Sequence, residues 1–178
     1  KQNILQENAV EMEKKSQEVA RTNEQLEHQI DKVQHAQNRI HILLENASAV
    51  ITIYNTERKI TYISPSVEAI LGYHPDELIG TNDAQYVHPD FKERVLNMFQ
   101  ALLLNAQVQT VQFAFTKKDG TQVWLEAVGK NMAENPAIHG IVINYRDITE
   151  RRRAEEEQRK RGQMQALSEN SLDLITRI

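Results

Sequence analysis

From Lys1 to about Asn46 the chain has neither glycine nor proline, and its apolar residues recur at alternating spacings of four and three. Leu5, Met12, Val19, Leu26, Val33 and Ile40 fall on one heptad position, d. Ala9, Ser16, Asn23, Ile30, Gln37 and Leu44 fall on position a, four residues on. An apolar stripe held in one register over this many heptads is the pattern of a coiled coil. It predicts a helical rod of about 65–70 Å over residues 1–46. The seam is mixed, because Ser16, Asn23 and Gln37 are polar at a. Buried polar groups there lower stability but favour one register and two strands. The flanking Asn8, Thr22, Gln29 and Gln34 are uncharged, so ion pairs do not select the partner. The expectation is a parallel homodimer with its seam at Leu5, Met12, Val19, Asn23, Leu26, Ile30, Val33, Ile40 and Leu44. The alternatives are a helix folded back on its own domain, or one lying on a membrane. The second is disfavoured by a polar face that is not rich in Lys and Arg.

At Ala49 the periodicity changes. Residues 49–54 (Ala-Val-Ile-Thr-Ile-Tyr) and 59–64 (Lys-Ile-Thr-Tyr-Ile-Ser) are β-branched runs around the polar turn 55–58, which predicts an antiparallel hairpin. Ser64-Pro65 then reads as a helix start, with Ser64 as the cap and Gly72 as the stop. Pro75–Leu78 reads as a further turn of helix, stopped at Gly80. His88-Pro89-Asp90 opens a longer helix to about Asn105 with Val95, Phe99 and Leu102 on one stripe. Val111, Phe113 and Phe115 alternate with Gln112 and Ala114. The turn Lys118-Asp119-Gly120-Thr121 is the strongest hairpin signal in the chain, and it leads into a strand from Gln122 to about Met132. A last strand runs from His139 to Tyr145. Strands on both sides of a helical cluster predict an α+β domain over residues 47–148, one antiparallel sheet with short helices on one face.

Taken together, Gly72-Tyr73, Glu77-Leu78-Ile79-Gly80, His88-Pro89-Asp90, Lys118-Asp119-Gly120-Thr121 with Trp124, and Gly140 followed by Arg146-Asp147-Ile148-Thr149-Glu150-Arg151 resemble the PAS family. The resemblance covers about Leu43 to Arg152. It implies a five-stranded antiparallel sheet cupping short helices, and a role in sensing small molecules, light or redox state, or in dimerisation, relayed to an output domain. Within it, Arg146, Asp147, Ile148 and Thr149 form the signal junction, with Asp147 and Thr149 as anchors and Arg146 paired to a nearby acid.

Beyond the junction, residues 149–166 read as a charged linker helix. Arg151–Arg153, Glu155–Glu157 and Arg159–Arg161 place opposite charges four residues apart, at about 0.3–0.5 kcal/mol per pair. Asp147 or Thr149 caps the start, and Asp147 with Glu150 has capping-box spacing. Gly162 weakens the middle. Residues 168–176 (Ser-Glu-Asn-Ser-Leu-Asp-Leu-Ile-Thr) echo residues 44–52 (Leu-Glu-Asn-Ala-Ser-Ala-Val-Ile-Thr), so residues 167–178 are expected to begin a second, truncated PAS-like domain. Both ends of the sequence read as cuts through longer elements.

The remaining chemistry is sparse. With no cysteine, disulfides, thiolate metal sites, Cys nucleophiles and cysteinyl-flavin photochemistry are excluded, which fits a reducing, cytoplasmic setting. A haem sensor needs a histidine projecting from a helix into a cavity. His88, the nearest candidate, precedes Pro89 and reads as a loop or capping residue. His28, His35 and His41 are wrongly spaced for a metal. No nucleophile triad, phosphoacceptor helix or nucleotide loop appears, so the chain is expected not to be an enzyme. A net charge of −4 and interleaved acids argue against nucleic acid. No apolar run reaches the length of a membrane span, although the parent protein is free to be anchored upstream. Ile51, Ile63, Ile70, Leu78, Val95, Phe99, Phe113, Leu125 and Ile143 either fill a core or line a pocket for a small apolar ligand, and packed core is the default. The expected function is a dimeric sensory and relay module joined to a downstream output domain, most simply a sensor histidine kinase. The alternatives are a ligand-free spacer that transmits strain, or the regulatory part of a nucleotide or diguanylate cyclase.

Overall fold

The computed structural model describes residues 2–104 and 107–175. It divides between Leu44 and Glu45 into two compact units.

The first unit is one uninterrupted helix, α1 (Gln2–Glu45, 44 residues). The expected stripe is present on it and open to solvent: Leu5, Met12, Val19, Leu26, Ile30, Val33 and Ile40 are each half or more exposed, and Leu44 is half-buried. Thr22 bonds back to the Glu18 carbonyl and Lys15 pairs with Glu11 at 2.8 Å.

The second unit carries β1 (Ala49–Tyr54), β2 (Ile60–Ile63), α2 (Ser66–Leu71), α3 (Pro75–Leu78), 3-10 turns at Asp83–Tyr86 and Pro89–Phe91, α4 (Lys92–Leu104), β3 (Gln109–Thr116), β4 (Gln122–Met132), β5 (Gly140–Asp147) and α5 (Thr149–Ile175). The strands form one antiparallel sheet in the order β2-β1-β5-β4-β3. β1 and β5, far apart in sequence, are therefore central neighbours. The two hairpin turns follow their chemistry. Asn55 Oδ1 accepts from the Glu57 and Lys59 amides, and Gly120 supplies φ +85° beside an Asp119 carboxylate that accepts from Thr121. The core lies between the sheet and α2–α4, and Leu102, Phe113, Leu125 and Ile141 are almost wholly buried. A Cβ on Gly140 would stand 2.5 Å from the Tyr54 carbonyl, which explains why glycine begins β5. A Cβ on Gly129 would meet Leu102 and Met98 of α4.

Four expectations change. Ser64 does not cap α2. It is fully buried, its Oγ accepts from the Ile51 amide and lies 2.8 Å from Ser66 Oγ, and Ser66 bonds on to the Ala49 carbonyl. The two serines stitch α2 to β1, because buried hydroxyls facing a strand find backbone partners there. Ile51 faces away from the core. The inward residues of β1 are Val50, Thr52 and Tyr54, since every residue from 50 to 53 is apolar or β-branched and the register alone decides which parity turns in. Ala114, expected outward, is buried, paired in register with Trp124. Finally, α5 passes Gly162 and continues to Ile175 without a break at 166. The echo of β1 makes a strand at 174–176 the expectation; Leu174 and Ile175 are helical, and Thr176 lies outside the described residues.

Candidate functional site

Two arrangements stand out, one inside the sheet and one where α5 leaves it.

The interior arrangement is a polar cluster in an otherwise apolar core. Tyr54 donates its hydroxyl hydrogen to Asp83 Oδ2 at 2.6 Å, and its oxygen lies 2.7 Å from the Tyr145 hydroxyl. Tyr54 and Tyr145 come from the paired central strands and are both buried. Asp83 opens the 3-10 turn after α3. Its residue is half-buried, with the carboxyl end turned inward onto Tyr54. Burial pushes the Asp83 carboxyl above the usual aspartate range, against the lowering effect of the Tyr54 bond and of the Arg58 charge. Burial raises both tyrosines well above theirs, with the Asp83 charge adding to it. One cavity of about 20 Å³ lies among Tyr54, Arg58, Asp83, Phe99 and Tyr145. A second of about 10 Å³ lies among Thr52, Leu71, Asp83, Leu125 and Tyr145. Each is of the size that admits about one water. Thr52 Oγ1 lines the second, fully buried and without a hydrogen-bond partner.

Of the residues expected to line a pocket, Ile63, Leu78, Phe99, Phe113, Leu125 and Ile143 are buried in the core, Ile70 and Val95 pack against it, and Ile51 is outside. The interior is filled rather than hollow. His88 caps the Pro89–Phe91 turn: its Nδ1 accepts from the Asp90 amide, and its own amide donates to the Ala114 carbonyl. Among the described residues no cluster of three or more His, Asp or Glu is placed to hold a metal, and no helix is long and apolar enough to cross a membrane.

The second arrangement fastens two of the four junction residues, Ile148 and Thr149, to β4. Ile148 is buried, and its amide donates to the Trp124 carbonyl at 2.8 Å. Thr149 Oγ1 accepts from the Trp124 amide at 2.9 Å. Asp147 Oδ1 accepts from the Thr149 amide at 2.8 Å and so caps α5. Arg146 is exposed, opposite Glu126 in register. The ion pair to Glu126 is made instead by Arg151, at 3.2 Å, because the first turn of α5 passes over the carboxylate. Glu126 also accepts from Gln112, and that bond, then Arg151, holds its carboxyl below the usual range.

Sequence reading missed what the next residue does. Arg152 belongs to the charge ladder by spacing, but its guanidinium lies 3.6 Å from the centroid of the Trp124 ring. Phe91 meets the same ring edge to face, at 5.2 Å between centroids and 78° between planes. A lone tryptophan in a strand, with Arg a turn beyond a helix cap, was the available signal. Only the antiparallel register of β4 and β5 says that they meet. Of the expected ladder, Arg151–Glu155, Glu156–Lys160 and Glu157–Arg161 form ion pairs.

Comparison with known proteins follows the fold. A family model described as PAS fold matches residues 60–143. The PAS domain of a protein from Colwellia psychrerythraea is 20% identical, with a TM-score of 0.55, over 65% of this chain and 98% of that one. A sensory box histidine kinase/response regulator from Burkholderia thailandensis is 26% identical, with a TM-score of 0.54, over 72% and 98%. Among curated proteins, basic helix-loop-helix ARNT-like protein 2 from Gallus gallus is 32% identical over 82 residues, and the human protein is 33% identical over 78. The matched regions are 46% and 43% of this chain, and they span only 13% and 12% of those relatives.

Proposed function

We propose that this chain, whose sheet domain belongs to the PAS family, is a dimeric module that senses a condition at the sheet and relays it through its helices to an output domain. The observation that carries the reading is the junction. Both backbone bonding groups of Trp124 are taken by Ile148 and Thr149, so the sheet and the first turn of α5 move as one piece. A shift in β4 or β5 then re-aims a helix of 27 residues, which is a rigid-body relay. The stripe on α1 supports dimerisation, since an exposed apolar face of that length is otherwise a liability. The parent is proposed to be a sensor histidine kinase, a reading supported by the likeness to the Burkholderia protein. The proposed setting is the cytoplasm, and a second domain after α5 is part of the same proposal.

A second reading has its own observation. Cavities of about 20 and 10 Å³ suit a spacer that binds nothing and only transmits strain. Asp147→Ala in the full-length parent tests the relay: regulated output should become unresponsive to the upstream stimulus while basal output persists. Unchanged regulation sinks the junction role. Native mass spectrometry of the chain decides between sensor and spacer, a retained small molecule speaking for a pocket that opens.

A further inference from the structure

The interior is too full for an organic ligand as it stands. Sites for such molecules run to about 300 Å³ or more, and the cavities beside Asp83 are about 20 and 10 Å³. Yet the same place holds a carboxyl, two tyrosine hydroxyls and an unpartnered threonine hydroxyl, polar groups whose burial costs stability wherever their hydrogen bonding is incomplete. We propose that the Tyr54–Asp83–Tyr145 cluster is a proton-sensing site, taking up one proton from solvent on the Asp83 carboxyl and signalling its charge state to Trp124. The proposal rests on the sensory reading of the domain and names its ligand.

The hydrogen bonds run in one direction at a time. With Asp83 ionised, Tyr54 spends its single hydrogen on Asp83, so Tyr145 must donate to Tyr54. With a proton on Oδ2, the carboxyl becomes the donor to Tyr54, and Tyr54 turns its hydrogen to Tyr145. The hydrogen of Tyr145 is displaced toward the cavity it shares with Thr52 Oγ1, an oxygen with no other partner. The charge at Asp83 falls from −1 to zero and no heavy-atom bond changes. The titratable and charged groups facing Asp83 are Tyr54 of β1, Tyr145 of β5 and Arg58 of the β1–β2 turn. Burial raises the carboxyl and Arg58 opposes it, so the folded chain holds the proton more tightly than the unfolded one.

The route to the surface is contiguous. Asp83 begins the turn that ends in Tyr86, whose ring lies 4.9 Å from Tyr73 and 5.9 Å from Phe115. Val87 bridges to Phe115 and His88 bonds to Ala114. Phe91, at the end of the next turn, touches Trp124, on which Arg152 lies. A change in how the first turn seats is thereby delivered to the residue that holds α5.

Trp124 is the chain's one tryptophan, so its emission reads this event directly. The experiment is a fluorescence titration of the whole chain from about pH 3.5 to 8, repeated in Asp83→Asn, His88→Gln and Glu126→Gln, the last two removing a histidine that meets Phe91 and a carboxyl that pairs with Arg151. The expected result is one transition, lost in Asp83→Asn and kept in the other two variants. Tyr54→Phe should move its midpoint upward, because it removes the bond that favours the ionised form. A flat wild-type titration, a transition that survives Asp83→Asn, or one abolished by His88→Gln or Glu126→Gln overturns the proposal. Carbon-13 NMR of the Asp83 carboxyl in the wild-type chain avoids any folding defect of the variants; a midpoint at or below that of an ordinary aspartate overturns it equally. A flat titration leaves the relay reading standing, whereas unchanged regulation in Asp147→Ala sinks the relay and leaves the titration intact.

Discussion

The two long helices, α1 and α5, are both solvent-exposed along most of their length, and they are built on opposite principles. α1 concentrates apolar residues on one stripe and leaves them exposed. α5 has no such stripe in its first turns; it sets Glu against Arg and Lys four residues on, and fixes its first turn to β4 with a cap, a buried Ile148 and the Arg152–Trp124 stack. A helix of the first kind takes most of its stability from whatever covers the stripe. A helix of the second kind needs no cover and is stiff near its attachment. On the proposed function, the contrast separates a device for pairing from a device for pointing.

The strongest way to break this contrast is to put charge into the stripe. Leu26→Asp with Ile30→Asp should weaken self-association at least about 100-fold in sedimentation equilibrium, since four carboxylates, two from each chain, would be desolvated in the seam. Glu24→Ala, off the stripe, should leave association unchanged. Equal behaviour of the two variants would remove the pairing role of α1.

A smaller effect is expected at the other helix. Arg152→Ala should cost the sheet domain about 1 kcal/mol in urea unfolding, the scale of a partly desolvated cation on an indole, and should shift Trp124 emission toward that of a more exposed ring. Arg153→Ala, one position on, touches no ring and should change neither. If both arginines matter equally, the stack is incidental and α5 is held by charge alone.

The smallest effect concerns pH. Glu126 has its carboxyl lowered by Gln112 and Arg151, so its contribution is complete above the ordinary glutamate range and is lost as pH falls through its folded value. Asp83 has the opposite sign: its carboxyl is raised, and stability declines as pH rises through its folded value. Unfolding midpoints of Glu126→Gln and Asp83→Asn should therefore both meet wild type at the acid end and depart from it as pH rises, Glu126→Gln falling below wild type and Asp83→Asn rising above it. Departure with the same sign would contradict one of the two assignments.

Much of the fold is legible in local chemistry. The strand from Gln122 to Met132, the turn at Gly120 and the stops at Gly72 and Gly80 follow from residues within a few positions of one another. β5 even announces its inner face, because polar Asn144 and Arg146 mark the outside and so turn Ile143 and Tyr145 inward. β1 does not, and Ile51, apolar like its neighbours, turns outward where the pattern alone allows either side. Asp83 has no signal in its own neighbourhood, and the local signals at Trp124 and Arg152 do not say that the two meet. Asp83 lies 29 residues from Tyr54, and Tyr54 lies 91 from Tyr145.

By itself, the sequence determined the helices, the hairpins and the heptad stripe, since periodicity, caps and turn residues act over one or two turns of chain. The tertiary structure alone decided that β5 lies between β1 and β4, that a carboxyl and two phenols share one buried spot, and that an arginine of α5 rests on the lone tryptophan. Those contacts depend on strand order and register, which are fixed by burying whole faces at once and not by any residue's near neighbours.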